Sequence, residues 1–193
     1  MVARLTLDQK VQVRILVSQL NIRVMENNTQ KSKELAYLLR HDTLYKFDAH
    51  GWREVRDLIN NHGYTESMIK DIVENNNKQR YEFSNDGKYI RARQGHSIQV
   101  DVELEEKTPP DYLYHGTSTN AVPHIMKEGI KKQSRLYVHL SETIATARNV
   151  GTRHGNPKVL CIHAKAMVED GIKFYLSRNN VWLVDYVDPK YIV

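Results

Sequence analysis

Several basic residues of this sequence stand at the predicted ends of helices and strands, where a side chain can face a ligand. Arg40 and His41 close an apolar helical stripe. Arg91 follows a hairpin turn, and Arg153 lies in a loop between two glycines. A guanidinium binds phosphate through two parallel N–H donors, so these spacings predict a phosphate site if the groups converge. The open alternative is structural, since Arg40 and His41 also suit the negative end of a helix.

Two short histidine motifs in the second half are further candidates. His115 precedes Gly116 and Thr117 at the end of a short predicted strand, where a glycine lets the backbone approach a ligand closely. His139 and Ser141 lie at the end of a second predicted strand. Each motif also fits an ordinary strand-end turn or a half-buried histidine, so neither is specific by itself.

Several large enzyme classes leave signatures that this sequence lacks. It has no glycine-rich loop of the nucleotide triphosphatases, no dinucleotide-binding glycine fingerprint and no Gly-x-Ser-x-Gly nucleophile elbow. The nine histidines form no His-x-x-x-His pair, and a single cysteine excludes a cysteine-rich zinc module. We therefore expect no bound metal.

The composition is that of an ordinary globular protein with a mild basic excess. The chain has 193 residues, a formal net charge of +5 and 40% hydrophobic side chains, which argues against wholesale disorder. No apolar run approaches the roughly 20 residues of a membrane-spanning helix, and no secretory signal is present. We expect a soluble, cytoplasmic monomer with no membrane partner. A cluster that favours a phosphate-bearing partner, or is simply a solvated surface, comprises Lys78, Arg80, Lys88, Arg91 and Arg93.

Local signals divide the first half into helices followed by a hairpin. Ser32 and Thr65 are predicted N-caps, and Gly63 is a predicted C-cap. Residues 85–87 have the chemistry of a tight hairpin turn. Three short helices and a hairpin over residues 31–100 are typical of a winged-helix module, whose wing would carry the basic cluster.

A proline-containing connector separates this region from the rest of the chain. Residues 101–111 include two consecutive prolines, which break regular structure. Residues 112–193 alternate short predicted strands with few helices, one of them capped by Ser141, and predict an α+β domain. Residues 1–30 mix strand-like and helix-like spacing, and we leave them unassigned, with helix slightly favoured.

Taken in chain order, these motifs resemble the RNA 2′-phosphotransferase family, the NAD-dependent enzymes of the tRNA 2′-phosphotransferase type. The resemblance covers about residues 31–193. Each motif is modest alone, whereas their succession in the family's order is specific. They are Leu38-Leu39-Arg40-His41, Gly51-Trp52, Ile90-Arg91-Ala92, Gln94-Gly95-His96-Ser97, residues 108–117, Tyr137-Val138-His139-Leu140-Ser141, residues 150–155 and Val181-Trp182-Leu183.

The resemblance implies a winged-helix-like, RNA-binding N-terminal lobe and a C-terminal lobe of the ADP-ribosyltransferase fold that uses NAD⁺ as co-substrate. It also implies a two-step reaction of the kind found in tRNA splicing. An internal RNA 2′-phosphate attacks the anomeric carbon of the nicotinamide ribose and expels nicotinamide. The adjacent ribose hydroxyl then attacks the phosphate, which releases 2′-hydroxyl RNA and ADP-ribose 1″,2″-cyclic phosphate.

By position, the resemblance also assigns roles to individual residues. Those that match the family's essential basic residues are Arg40, His41, Arg91 and Arg153. Those that match its NAD-binding strands are His115, Gly116, Thr117, His139 and Ser141, with Val181 where related transferases keep a catalytic glutamate. The first step needs no general base because the phosphate is already anionic. Three arginines and a histidine then suit the charge that develops at phosphorus.

Two segments depart from the family's pattern, and two other functions would use the same motifs. Residues 1–30 have no match, and residues 42–50 are shorter than usual and lack the usual proline, so we expect any difference in RNA preference there. The same NAD site could ADP-ribosylate nucleic-acid phosphate ends and stop after the first step. A non-catalytic winged-helix nucleic-acid binder could instead sense NAD or ADP-ribose, although it need not keep all four basic residues.

Overall fold

In the computed structural model, helices and a small antiparallel sheet form the first part of the chain. The structure describes residues 7–76 and 78–193. We call residues up to 100 the N-terminal half and those from 101 the C-terminal half. The helices of the N-terminal half are α1 Leu7–Leu38, α2 Val55–His62 and α3 Glu66–Glu74. Its strands pair antiparallel in the order β1-β3-β2 and are β1 Arg53–Glu54, β2 Tyr81–Phe83 and β3 Tyr89–Ala92.

Local sequence signals account for the two short helices and for the hairpin. The Thr65 hydroxyl accepts a hydrogen bond from the Met68 N–H at 3.2 Å and so caps α3, as predicted. Gly63 ends α2 with a φ of +66°, which confirms the predicted C-cap. Gly87 takes a φ of +70° in the turn between β2 and β3, as the hairpin prediction requires.

Helix α1 begins far upstream of the predicted N-cap, so that prediction is wrong. Ser32 lies inside α1, where its carbonyl accepts a hydrogen bond from the Tyr81 hydroxyl at 3.2 Å. No proline or glycine interrupts Leu7–Leu38, and each residue added to an established helix contributes a further hydrogen bond. The favoured helical interpretation of the N-terminal segment is thus confirmed for residues 7–30. Residues 1–6 lie outside the described residues.

Short strands dominate the C-terminal half, so the chain is a mixed α+β protein, as predicted. The helices there are α4 Val122–Glu128, α5 Ile144–Gly151 and α6 Ala164–Glu169. The strands are β4 Glu105–Glu106, β5 Leu113–Ser118, β6 Ile130–Lys131, β7 Val138–Leu140, β8 Pro157–Ile162, β9 Tyr175–Leu176, β10 Trp182–Val184 and β11 Tyr186–Val187. They form a sheet of order β4-β9-β10-β7 and the pairs β5-β8 and β6-β11, all antiparallel.

Helix α5 begins after Thr143, and the prediction that Ser141 caps it is wrong. The Thr143 hydroxyl accepts a hydrogen bond from the Thr146 N–H at 3.2 Å. Ser141 instead exchanges two backbone hydrogen bonds of 2.8 Å with Tyr114. The main chain of Ser141 therefore links the end of β7 to β5. The Thr143 hydroxyl caps α5 in its place.

Two hydrophobic clusters form the cores of the two halves. Fully buried members of the N-terminal cluster include Leu35, Leu39, Leu58, Ile69 and Ile90. Fully buried members of the C-terminal cluster include Leu113, Ile162, Met167, Val184 and Val187. None of the helices in the described ranges has the length and apolarity that a membrane crossing requires.

Polar contacts join the two halves along a boundary that we call the seam. The Leu136 N–H donates to the His96 carbonyl at 3.0 Å. The Arg178 guanidinium donates to the Glu82 carboxylate at 3.2 Å. Gln94 also contacts His139, and the Asn179 side-chain amide donates to the Lys78 carbonyl at 2.9 Å, so the seam is held at several places.

Candidate active site

Arg40 lies at the end of α1, with most of its guanidinium held inside the protein. Leu38 and Leu39 beside it are buried in the N-terminal cluster, which fixes the rotation of the helix. The Nε and Nη2 atoms of Arg40 are buried and have no hydrogen-bond partner among the described residues. Burial lowers the Arg40 pKa to about 10. Buried donors without acceptors are costly, so this arrangement is suited to an anion that supplies them.

His41 is held by the segment that follows β3. Its Nδ1 lies 2.9 Å from the Ser97 hydroxyl, and the Ser97 N–H donates to the Arg40 carbonyl at 3.0 Å. Burial lowers the His41 pKa below its ordinary value, and the charges of Arg40 and Arg135 lower it further. His41 is therefore neutral at physiological pH and can take up a proton that a reaction releases.

Arg153 reaches the same region from the C-terminal half. It is exposed in a 3₁₀ turn, Thr152–His154, directly after α5. Helix α5 lies in backbone contact with β5, since a Cβ at Gly116 would fall 1.7 Å from the Ala147 carbonyl oxygen. The absence of that Cβ positions the helix, and with it the turn that carries Arg153.

Arg40 and Arg153 line one cleft, which has a volume of about 890 Å³. The cleft runs between α1 and α3 and reaches the turn after α5. The other charged side chains that line it are Lys33, Asp71 and Arg80. The structure therefore brings together two of the three predicted arginines, with His41 next to Arg40 in the chain.

Four arginines around this cleft have no carboxylate partner among the described residues. They are Arg40, Arg80, Arg135 and Arg153, which we call the unpaired arginines. Burial lowers the pKa of Arg80 and of Arg135, and the charge of Arg153 lowers both further. An anion with more than one charge would relieve this mutual repulsion and occupy several guanidinium forks at once.

Arg91, the remaining predicted basic residue, lies apart from the cleft with its donors already occupied. It is 1% exposed, and its Nε and Nη2 atoms donate to Glu82 at 2.6 Å and to Glu103 at 3.0 Å. Its Nη1 donates to the His50 carbonyl at 3.3 Å, and its guanidinium lies 4.4 Å from the centre of the Trp52 ring. The prediction of a basic wing is thus wrong for Arg91, which is neutralised inside the protein.

His115 and His139 form a half-buried pair on β5 and β7. The His115 Nδ1 lies 3.2 Å from the His139 carbonyl. The His139 Nδ1 lies 3.0 Å from the Tyr137 carbonyl, and its Nε2 lies 2.9 Å from the Gln94 side-chain amide. Burial lowers the His139 pKa to about 3, with the charge of Arg135 adding to the effect. The Gln94 atom that faces Nε2 is the oxygen Oε1, so a neutral His139, with one N–H, donates either to it or to the Tyr137 carbonyl.

The other residues expected to contact NAD⁺ lie on adjoining strands. Gly116 and Thr117 belong to β5, Ser141 follows β7, and Val181 directly precedes β10. β7 pairs with β10, and Ser141 bridges to β5, so the three strands lie side by side. All six expected contact residues, His115 and His139 included, therefore lie on one group of neighbouring strands.

A second cavity of about 370 Å³, which no Lys or Arg side chain of the described residues lines and to which Asp101 contributes, lies at the seam. His96 lines it, is 2% exposed, and has no partner for its Nε2 atom among the described residues. Burial lowers the His96 pKa to about 3, so this side chain is neutral. Gly95 lines the same cavity and packs against the Arg40 guanidinium, which separates the two spaces. Across the described ranges, no three His, Cys, Asp or Glu side chains are grouped to hold a metal ion.

Arg135 is the site residue that sequence reasoning missed. It lies in the turn before β7, and its charge acts on Arg40, His41 and His139. The only signal in the sequence was its position two residues before the Tyr137–Ser141 motif. Arg80 was visible in the basic cluster, but as part of the wing and not as a lining residue of a cleft.

Comparisons with known proteins agree on one family. The chain matches the family described as RNA 2′-phosphotransferase, Tpt1 / KptA family, over residues 26–186. A protein of Acaryochloris marina is 46% identical over 170 residues, which cover 84% of this chain and 94% of that protein. One of Flavobacterium johnsoniae is 46% identical over 178 residues, covering 87% and 98%, and one of Nostoc punctiforme is 47% identical over 169 residues, covering 83% and 93%. All three carry the name "Probable RNA 2′-phosphotransferase".

Proposed function

The chain belongs to the Tpt1 / KptA family of RNA 2′-phosphotransferases, and from this premise we propose that it transfers an internal RNA 2′-phosphate to NAD⁺. The products are 2′-hydroxyl RNA, nicotinamide and ADP-ribose 1″,2″-cyclic phosphate, the chemistry of tRNA splice-junction processing. The observation that carries the proposal is the cleft lined by three of the unpaired arginines, Arg40, Arg80 and Arg153, because a phosphate monoester is the anion that such a cluster fits.

Arg40 and Arg153 bind the oxygens of the transferred phosphate from opposite sides of the cleft. The unpartnered Nε and Nη2 atoms of Arg40 support this role, because they offer one complete fork to the ligand. Arg153, which approaches from the C-terminal half, gives the phosphate a second contact near the NAD-binding strands. Together they hold the nucleophile in place, and placement supplies much of the catalysis of a reaction between two bound substrates.

His41 manages the proton of the second step. When bound, NAD⁺ supplies the anomeric carbon to which the phosphate is joined, and neutral nicotinamide leaves without needing a proton. Phosphoryl migration then takes a proton from a ribose hydroxyl and returns one to the RNA 2′-oxygen. A neutral His41, oriented by Ser97, is equipped to accept that proton and give it back.

NAD⁺ binds along the strands that carry His115, Gly116, Thr117, His139 and Ser141, with Val181 at the third strand. His115 and His139 are neutral and fixed by backbone carbonyls, so they act as hydrogen-bonding groups and not as charges. A carboxylate at the Val181 position is unnecessary, because the attacking phosphate carries its own charge. The unpartnered, buried Nε2 of His96 beside these strands fits a ligand with polar atoms at the seam.

Arg91 serves this site as a positioning residue. Its contacts with the His50 carbonyl and the Trp52 ring tie the segment after α1 to β3. β3 leads directly into Gln94-Gly95-His96-Ser97, which contacts Arg40, His41 and His139. Loss of Arg91 would thus disturb the site through the backbone, which agrees with its place among the residues that the family resemblance marks as essential.

We assign the lobes in the same way. Residues 31–100 form a winged-helix-like RNA-binding lobe, supported by three helices and the β2–β3 hairpin. Residues 112–193 form an ADP-ribosyltransferase-like lobe, supported by its neighbouring strands, and residues 101–111 connect the two. Residues 1–30 are an N-terminal extension, and residues 7–30 belong to α1, the helix that ends two residues before Arg40.

The deciding experiment incubates the protein with NAD⁺ and a short RNA that bears one internal 2′-phosphate, with all products identified by mass. We expect 2′-hydroxyl RNA, free nicotinamide and the cyclic phosphate, and no reaction with the matched 2′-hydroxyl RNA. A stable ADP-ribose adduct on the RNA would favour end modification instead. Binding of both ligands without any turnover would favour a sensor, and either result would overturn the proposal.

A further inference from the structure

Two backbone hydrogen bonds place Arg135 beside the predicted catalytic residues. The Leu136 N–H donates to the His96 carbonyl at 3.0 Å, and the Ser97 N–H donates to the Arg40 carbonyl at 3.0 Å. The turn that carries Arg135 is therefore joined through residues 96–97 to the end of α1. Because these links are between peptide groups, they fix the main chain of the turn that carries Arg135.

The opposite side of Arg135 faces the C-terminal half. Three residues further along the chain begins β7, which contains His139. The charge of Arg135 lowers the pKa of His41 in one half and adds to the effect of burial on His115 and His139 in the other. Arg135 thus lies at the seam, between the residues proposed for RNA and those proposed for NAD⁺.

Arg135 is also unneutralised, in contrast to the neighbouring cation of the same turn. Lys132 donates to Asp185 at 2.6 Å, whereas the Arg135 guanidinium has no carboxylate partner in the described part of the chain. Its nearest charged neighbours include Arg153, which is also a cation. The Arg135 side chain is exposed, so its guanidinium is accessible to a phosphate of a bound ligand.

We propose that Arg135 is a further substrate-contacting residue and that its guanidinium binds the phosphate being transferred. The inference rests on the proposed function and deepens it, because it adds a third fork to those of Arg40 and Arg153. With Arg40 from one half and Arg153 from the other, Arg135 closes the phosphate site at the seam. The site then recognises a phosphate monoester with three arginines that approach from different elements.

The test compares the affinity of a short RNA carrying one internal 2′-phosphate with that of the same RNA carrying a 2′-hydroxyl, both without NAD⁺. Arg135→Ala should reduce the preference for the phosphorylated RNA by about ten- to a hundredfold, the range for one lost charge-assisted contact. Arg135→Lys should keep part of the preference, since a lysine retains the charge but not the fork. Lys132→Ala removes a paired cation from the same turn and should leave the preference unchanged.

A second measurement separates the two phosphate sources at this site. Affinity for ADP-ribose should be the same in the wild-type protein and in Arg135→Ala, because the proposal assigns Arg135 to the RNA phosphate. A loss of ADP-ribose affinity with an unchanged RNA preference would assign Arg135 to the pyrophosphate and overturn the proposal. Thermal unfolding of each variant confirms that the fold is retained.

The outcomes also distinguish this inference from the proposed function. If the wild-type protein removes the 2′-phosphate and Arg135→Ala has the same preference and rate, the role of Arg135 is wrong and the function stands. If the wild-type protein neither prefers nor processes the phosphorylated RNA, the proposed function fails and the inference fails with it.

Discussion

At the scale of single residues, ion pairing divides the arginines of this protein into two groups. Arg53 and Arg91 are buried against carboxylates, and Arg53 contacts Asp42 at 2.7 Å and Asp57 at 2.6 Å. Arg40 and Arg153 line the cleft without any carboxylate partner in the described ranges. The first group holds the fold together, whereas the second is available to a ligand. Removing an arginine of the first group should therefore lower stability, whereas removing one of the second group should lower activity with stability retained.

Arg153→Ala should abolish release of the 2′-phosphate with the fold intact. The side chain is exposed and unpaired, so its loss removes a contact that is made only with the substrate. Loss of one such electrostatic contact costs on the order of 3 kcal/mol, about a hundredfold in rate. Single-turnover kinetics measure the rate, and a thermal melt measures the fold.

Arg148→Ala is the matched control for this prediction. Arg148 is an exposed arginine on the same α5 helix and does not line the cleft. Its removal should leave the rate within twofold of wild type, taking about twofold as a change near 0.4 kcal/mol. Equal losses in both variants, or wild-type turnover in Arg153→Ala, would remove Arg153 from the site.

Arg91→Ala should instead unfold more easily. It leaves the Glu82 carboxylate, which is only 11% exposed at its side chain, without its closest partner. Breaking a buried ion pair on one side costs about 3–5 kcal/mol, and Glu82→Gln should lower the free energy of unfolding in the same direction. Urea titration measures both variants. Full stability together with lost activity in Arg91→Ala would show that Arg91 contacts the substrate directly.

The buried, neutral histidines make stability sensitive to acid. His96 has a folded pKa of about 3 against an ordinary value of 6.5, so the unfolded chain binds a proton that the folded protein does not. The free energy of unfolding should thus be constant above pH 6.5 and fall below it, by up to about 1.4 kcal/mol per pH unit from His96 alone. Urea titrations at pH 7.5, 6 and 5 measure this slope. His96→Asn should have a shallower slope, and equal slopes would contradict the assignment.

The sequence identified most of the residues that could take part in the chemistry. It could not show which of them are ion-paired with carboxylates in the fold. Arg40 and Arg91 are both basic residues at the ends of elements, and only the fold shows that Glu82 and Glu103 neutralise the second. Arg135 was missed for the complementary reason. Its importance comes from the His96 carbonyl, which lies 39 residues away in the chain and fixes the adjoining Leu136.

At the scale of elements, the sequence correctly predicted the helix caps and the hairpin turn whose stabilising contacts lie within a few residues. Thr65, Gly63 and the 85–87 turn act through atoms only a few residues away, and all three predictions hold. The predicted start of α1 was wrong because no proline or glycine stops the helix before Ser32, and the predicted cap of α5 was wrong because a distant contact decides it. Ser141 is committed to Tyr114 across the sheet, and no local pattern reveals that.

Gly116→Ala tests the contact between β5 and α5. A Cβ at this position would lie 1.7 Å from the Ala147 carbonyl oxygen, so α5 must move or the strand must shift. We expect a loss of about 1–3 kcal/mol in the free energy of unfolding, the usual effect of overpacking. Urea titration measures it. Ala145→Ser, on the exposed side of the same helix, should change stability by less than about 0.5 kcal/mol, and an equal loss there would contradict the argument.

At the scale of the whole molecule, the net charge of +5 is less informative than its distribution. One cleft is lined by three arginines without a carboxylate partner in the described ranges, Arg40, Arg80 and Arg153, whereas the wing is largely neutralised by its own acids. The molecule should thus attract RNA through the cleft and not through the tip of the hairpin. The basic cluster in the sequence favoured a phosphate-bearing partner, and the proposed function places that partner in the cleft.

RNA affinity should fall steeply with salt, because each phosphate that the protein neutralises releases counterions. With three or four cations engaged, the slope of log K against log salt should be about −2 to −3 for a single strand. Lys33→Ala, in the cleft, should make the slope shallower by about 0.7. Lys88→Ala, in the wing, should leave it unchanged. A flat response in the wild-type protein, or a reversed effect of the two lysines, would place the RNA elsewhere.

Two backbone hydrogen bonds, which join residues 96–97 to the end of α1 and to the turn before β7, have a consequence for evolution. They align three distant stretches of chain without using a single side chain, so the alignment survives when the side chains are exchanged. Individual arginines could therefore be substituted during evolution and give activity on new leaving groups or acceptors. The backbone hydrogen bonds would keep the three segments in place. Novel specificities should arise here by point substitution and not by rebuilding loops.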